Sequence, residues 1–232
     1  TELTGDSNMT FSVAGICPET GMVGSIITSS SICVASRCHF VKSKVGVALT
    51  QNITNPDLGP RALTLLQDTN YQDAQSVLEQ LKHEEAHIEW RQLGLLTANG
   101  DSAMFSGEQS LGIHNLAKGN NVIAMGNLLA NDQVPKAMVT AFELSKGHLA
   151  DRLLALEAGL KAGGEMGPIQ SIGLKVCAEP EWPIIDLRVD WHDEPLQQLN
   201  HLWQLYEPQM QAYITRAKDP VNAESYGVPG DE

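Results

Sequence analysis

The sequence predicts an α+β fold built from two antiparallel sheets whose outer faces are covered by pairs of helices. Three observations predict it. Strand-like segments come in runs joined by hairpin turns, and helix-like segments come in pairs between those runs. Strand and helix do not alternate singly, as the crossovers of a doubly wound parallel sheet require. No internal repeat or linker divides the 232 residues. One domain over residues 9–216 is therefore expected, an αββα sandwich if both sheets are covered, with a leader at 1–8 and a loose tail at 217–232.

Thr10 to Cys17 sets Phe11 and Val13 against Ser12 and Ala14 and reads as a strand. Pro18-Glu19-Thr20-Gly21 is a turn, because proline presets φ and glycine accepts a positive one. Met22 to Thr28 then completes a hairpin. After the polar break Ser29-Ser30-Ser31, Ile32 to Ser36 is predicted as a short strand. Lys44 to Gln51 is another, with Val45, Val47 and Leu49 on one face and the small residues Gly46 and Ala48 on the other.

Asn55-Pro56 opens a helical region. Ala62 to Gln67 and Asp73 to Lys82 are its helices, the second with Ala74, Val77, Leu78 and Leu81 at helical spacing. Arg91 to Thr97, Ala103 to Ser106 and Val122 to Met125 read as strands, the first two joined by the hairpin dipeptide Asn99-Gly100. Val134 to Leu144 and His148 to Lys161 are predicted helices, the second stopped by Gly163-Gly164. Gln170 to Cys177 and Ile184 to Val189 are the last strands, and Glu194 to Tyr206 the last helix.

The net charge of −13 argues against nucleic acid and anionic lipid as partners, because an acidic surface releases no counterions from phosphates. No apolar run reaches the length of a membrane span, and Thr1 to Asn8 lacks the basic and apolar regions of a signal peptide. A cytoplasmic protein is expected, with a small-molecule substrate and a homo-oligomeric state. Cys17, Cys33, Cys38 and Cys177 form no CxxC pair and read as buried thiols. His83 and His87 stand four apart in a charged run. No metal site and no cofactor is expected, since P-loop, GxGxxG, GxSxG and HExxH patterns are all absent.

What remains is the hydroxyl that heads the first strand. A threonine hydroxyl attacks a carbonyl only if a base takes its proton. One such base is the residue's own α-amine, which requires Thr10 to be the first residue of the mature chain. Met9 precedes it, so removal of an initiator methionine at that position would expose the amine. The alternative is a threonine that merely starts a strand.

Several motifs, in order along the chain, carry a family resemblance. They are Thr10-Phe11-Ser12, Pro18-Glu19-Thr20-Gly21, Gln51 with Thr54-Asn55-Pro56, and Gly59-Pro60. Trp90-Arg91-Gln92-Leu93, Phe105-Ser106-Gly107 and Gly126-Asn127-Leu128-Leu129 follow. Ala162-Gly163-Gly164-Glu165, Gln170-Ser171 and Asp186-Leu187-Arg188-Val189-Asp190 complete the set. Together they resemble the family called domain of unknown function 1028. That family is similar in fold to N-terminal-nucleophile hydrolases, four-layer αββα sandwiches. The resemblance implies Thr10 as nucleophile. It also places Lys42 and Lys44 where proteasome-type subunits carry a catalytic lysine.

The implied activity is hydrolysis of a small, anionic amide. Asn127, after an apolar strand end, is the expected oxyanion donor. Arg91 is expected either to clamp a carboxylate or to make a structural ion pair. Asp186 and Arg188 alternate along one strand face, as a salt bridge or as substrate contacts. Ser29 and Ser30, Gln51 and Asn55 end strands near Thr10 and are expected to line its pocket, with Trp191 and His192 as a wall. The alternative to an enzyme is a binding or assembly module of the same fold.

Overall fold

The computed structural model describes residues 9–164 and 166–225. The leader 1–8, Glu165 and residues 226–232 of the expected tail lie outside the described residues. The chain opens with β1 (Thr10–Cys17) and β2 (Met22–Ser29), then β3 (His39–Lys42) and β4 (Gly46–Gln51). Two helices follow, α1 (Leu58–Leu65) and α2 (Ala74–Glu84). Next come β5 (Gln92–Thr97), β6 (Ser102–Ser106), β7 (Asn115–Gly119) and β8 (Val122–Asn127). Then come α3 (Val134–Leu144), α4 (Leu149–Leu153) and α5 (Leu156–Lys161). β9 (Ser171–Cys177), β10 (Ile185–Val189) and α6 (Pro195–Lys218) close the order.

Two antiparallel sheets result: six strands in the order β10-β9-β2-β1-β8-β7, and four in the order β3-β4-β5-β6. The side-chain period of two divides each strand between two environments. Phe11 and Val13 of β1 join Ile26, Ala124, Leu174, Phe142, Leu153, Leu199 and Trp203 in one core, where α3 to α6 pack on the six-stranded sheet. Ala14 and Ile16 point the other way and meet Val47, Leu49 and Leu96 of the four-stranded sheet. The far side of that sheet, with Ala48, Leu93 and Leu95, takes α1 and α2.

Both faces of β1 are therefore buried. Close approach of the sheets is marked at Gly94, where an added Cβ would stand 2.8 Å from Met125 Sδ. At Gly46, φ is +142 and the backbone of Leu96 crowds the missing side chain.

The elements with the clearest period stand where the sequence puts them; α3 matches its predicted bounds. Five segments differ. Val34–Ser36 is a 3-10 turn, not a strand, entered through Cys33 with φ 56. β3 and β7 are edge strands, His-Phe-Val-Lys and Asn-Leu-Ala-Lys-Gly, with polar residues where a pattern would need apolar ones. The predicted helix 148–161 is broken between Leu153 and Leu156, so its leucines serve two short helices. α6 runs on to Lys218 through Pro208. The missing hydrogen bond at Pro208 is outweighed by continued packing of Met210 and Ile214 on the core and by stacking of Tyr206 on Tyr213.

All four cysteines are free thiols. His83 lies in the last turn of α2 and His87 lies beyond its end, so the two do not share a helix face. No group of metal-ligating side chains gathers among the described residues. No helix among them is long and apolar enough to cross a membrane.

Between the sheets, the Ser25 hydroxyl and His39 Nδ1 stand 2.9 Å apart, both buried. Burial, with Lys175 and Arg188 nearby, lowers the His39 pKa to about 3. Below pH 6.5 the unfolded chain therefore binds a proton that the folded chain refuses, and stability falls as the pH drops toward 3. By pH 4 this site accounts for a loss of up to about 3 kcal/mol. Urea denaturation from pH 7 to pH 4 should show a shallower acid loss in His39→Asn, which keeps a partner for Ser25 but does not titrate.

Candidate active site

Strand register brings a row of polar side chains to one end of the six-stranded sheet. Thr10 pairs with Asn127 on one side and Ser29 on the other, and Ser29 pairs with Ser171. All four are buried. Partners across a sheet share a face, so this row faces the four-stranded sheet. The adjoining strand ends there are Gln51 and Gln92, themselves paired, with Gln92 opposite Ser106.

These residues form one hydrogen-bonded chain. Ser12 Oγ donates to Gln51 Oε1 at 2.9 Å. Gln51 Nε2 donates to Gln92 Oε1 at 2.7 Å and to the Thr10 carbonyl at 3.4 Å. Gln92 Nε2 donates to the Gly126 carbonyl and to Ser106 Oγ, each at 2.9 Å. Asn127 Nδ2 donates to Gln92 Oε1 at 3.3 Å. The carbonyls can only accept, which fixes the direction of every amide in the chain. Asn127 Oδ1 is then a buried acceptor without a partner, beside Thr10.

Thr10 Oγ1 donates to Ser29 Oγ at 3.2 Å. Ser29 gives its own hydrogen to the Met9 carbonyl, and the Ser30 amide donates to the same oxygen at 3.3 Å. Met9 is 3% exposed and closes over Thr10, itself 5% exposed. Ser29 is a hydroxyl, not a base. With Met9 attached, nothing in the described row takes the Thr10 proton. A freed Thr10 amine would supply that base.

The loops around this end are conformationally demanding. Cys33, Asn52, Ile53 and Leu128, four of the six non-glycine residues with positive φ among the described residues, lie in them. Ile53 is β-branched, so its φ of 48 is a strained choice of the kind that clusters at functional sites. Asn52 holds its turn by donating to the Trp90 carbonyl at 2.7 Å and accepting from Leu111 N at 2.9 Å.

Other expected residues stand elsewhere. Lys44 occupies the turn before β4, at the opposite end from Gln51. A strand of that length separates it from Thr10 by more than about 15 Å. It lines a groove of about 880 Å³ with Lys42, Tyr71, Asp101, Glu179 and Glu181, remote from the hydroxyl row. Asn55 faces Glu85, donating to its carboxylate at 2.6 Å, and caps the Asp57 amide. Arg91 is the structural alternative: it bonds the Ile53 carbonyl and lies 3.4 Å from Glu85. Burial alone would raise the Glu85 carboxyl, but hydrogen bonds from Asn55 and the His87 amide, with the Arg91 charge, hold it below its ordinary value.

Asp186 and Arg188 are not paired with each other. Asp186 meets Lys175 at 3.6 Å and Arg188 meets Asp190 at 2.8 Å. They sit on β10, three strand spacings or roughly 14 Å from β1. Trp191 is exposed and follows Asp190 at the rim, and the His192 amide bonds the Gln170 carbonyl.

Sequence reading assigned no role to Gln92, Ser12 or Ser106. The available signal was a glutamine opening a strand otherwise apolar, Gln-Leu-Gly-Leu-Leu.

A family model described as a family of unknown function, DUF1028, matches residues 10–199. The crystal structure of protein SPO2555 from Silicibacter pomeroyi, described with that family model, is similar with a TM-score of 0.79. The two are 28% identical over 85% of this chain and 86% of that one. No curated protein matches this chain.

Replacing Gln92 by Met should keep the volume but remove the side-chain donor to the Gly126 carbonyl and the acceptor shared by Gln51 Nε2 and Asn127 Nδ2. The expected cost is about 2–5 kcal/mol, read from urea unfolding. Asn55→Ala, off the chain, should cost less.

Proposed function

This chain belongs to the family of unknown function DUF1028, and on that premise we propose that it hydrolyses a small amide with Thr10 as an N-terminal nucleophile. The reading includes the finer fold assignment, an αββα sandwich of the N-terminal-nucleophile type. The observation that carries it is the placement of the Thr10 hydroxyl in a buried polar row, hydrogen-bonded to Ser29 and flanked by the unpartnered Asn127 Oδ1. A lone strand-starting threonine needs no such surroundings.

The active form begins at Thr10. Its neutral α-amine takes the Oγ1 proton while Oγ1 bonds to the substrate carbonyl carbon, and the carbonyl π pair moves onto oxygen. Collapse of that adduct breaks the C–N bond, and the leaving nitrogen receives the proton from the Thr10 ammonium. Water then attacks the ester by the same route, releasing the acid and restoring Thr10. Asn127 Oδ1 accepts from the ammonium when it forms. One Nδ2 hydrogen of Asn127 is spent on Gln92, and the other serves the developing oxyanion.

A second reading, a binding or assembly module that forms homo-oligomers, is favoured by the exposed apolar side chains around this end, Trp90 and Trp191 among them.

Protein with Thr10 as its verified first residue, by intact mass, should turn over members of a panel of neutral and anionic small amides. Thr10→Ser should retain activity and Thr10→Ala should lose at least about a thousandfold in kcat. An unchanged rate in Thr10→Ala would sink the hydrolase and leave the binding module. The rate should rise with pH through roughly 7–8, as the amine loses its proton.

A further inference from the structure

Met9 is held as a bound acyl group would be. Its carbonyl oxygen receives two donors, Ser29 Oγ and the Ser30 amide, and its own amide donates to Ser30 Oγ at 3.2 Å. Its side chain is buried yet joins none of the apolar clusters that build the cores. The thioether end reaches Gly167, where an added Cβ would stand 2.7 Å from Met9 Cε.

The Met9 carbonyl carbon is bonded to Thr10 N, and so lies across a five-membered ring from Thr10 Oγ1. An acyl group esterified to that hydroxyl occupies nearly the same place. Two donors already converged on this oxygen are what an acyl-transfer site provides for its oxyanion.

The arginines around this end already have hydrogen-bond partners within the protein. Arg37 bonds the Ile32 and Cys33 carbonyls and Ser31 Oγ, Arg91 is engaged with Glu85, and Arg188 with Asp190. The surrounding loops expose the apolar side chains Ile32, Ile53, Trp90, Ile113, Met166 and Trp191, and beside them the acidic Glu89, Glu108 and Asp193, which would repel an anionic acyl group. Hydrogen bonds tie these loops together, from Trp90 through Asn52 to Leu111, and from Ile113 through Leu129 and Leu128 to Met166.

We infer that the place filled by Met9 is the acyl subsite, with Ser29 Oγ and the Ser30 amide as further oxyanion donors beside Asn127 Nδ2, and that it selects amides of unbranched, uncharged acyl groups about as long as a methionine side chain. This rests on the hydrolase reading above. Gly167 sets the length of the pocket, and Met9 itself blocks it until removed.

Among the described residues every strand and helix begins at or after Thr10, as does the family match, so a chain starting there keeps all of these elements. That protein is assayed with the 4-nitroanilides of acetic, butanoic, hexanoic and glutaric acids. The hexanoyl compound should exceed the acetyl and glutaryl compounds at least tenfold in kcat/KM. Gly167→Ala should lower the hexanoyl-to-acetyl ratio at least fivefold.

Binding is measured separately by calorimetry on the same chain carrying Thr10→Ala. There the hexanoyl anilide should bind at least tenfold tighter than the glutaryl one, and the full chain with Met9 in place should bind neither. Equal binding, a glutaryl preference or an unaltered ratio in Gly167→Ala overturns the subsite. Selective binding without any turnover by the Thr10 protein upholds the subsite and overturns the hydrolase.

Discussion

The chain of carboxamides from Ser12 through Gln51 and Gln92 to Asn127 is the constraint around which the site end of the molecule is arranged. It crosses from the six-stranded sheet to the four-stranded one and back, and its two glutamines are anchored on the backbone carbonyls of Thr10 and Gly126. Buried amides are costly unless paired, so each link depends on the others and on the strand registers that bring them together. A slip of one residue in β1 would turn Ser12 and Thr10 toward the helices and carry Phe11 into this layer.

The space between the sheets therefore changes character along its length. At the far end Ile16, Val23, Val47, Leu96 and Cys177 fill it with apolar contact. At the near end hydroxyls and amides do. The apolar end supplies burial energy, and the polar end supplies direction. The middle is the Ser25–His39 pair, where burial keeps the imidazole neutral. The loops that close the polar end adopt left-handed turns at Cys33, Asn52, Ile53 and Leu128, a cost borne where the chemistry is proposed.

The mouth of that end carries exposed apolar side chains beside acidic ones, with its arginines already engaged. Arg91 and Arg188 looked from their sequence positions like anion clamps as much as structural ions. Which role a guanidinium takes depends on the carboxylate that reaches it, Glu85 six residues before Arg91 and Asp190 two residues after Arg188.

The local patterns carried much of the fold. Strong period-two and helical stripes located β1, β2, β4, β5, β8, β9 and α3, and the runs of strands fixed the α+β class. Thr10, Ser29, Asn127 and Gln51 were legible as strand ends. The short polar edges β3 and β7 were not, because a strand paired on one side needs little apolar signal. Nor was the break within 148–161, where one leucine stripe serves two helices.

Lys44 was misplaced because distance along a strand, and not proximity in sequence, decides which end of a sheet a side chain reaches; Asn55 lies just past the right end of β4 but turns its amide to Glu85. The sequence by itself determined which faces are apolar and which residue heads the first strand. Only tertiary structure decided that Gln92 faces Asn127, that Ser29 and Ser30 converge on the Met9 carbonyl, and that His39 meets Ser25. Those contacts join residues 14 to 35 positions apart, through sheet registers and sheet packing that no local propensity encodes.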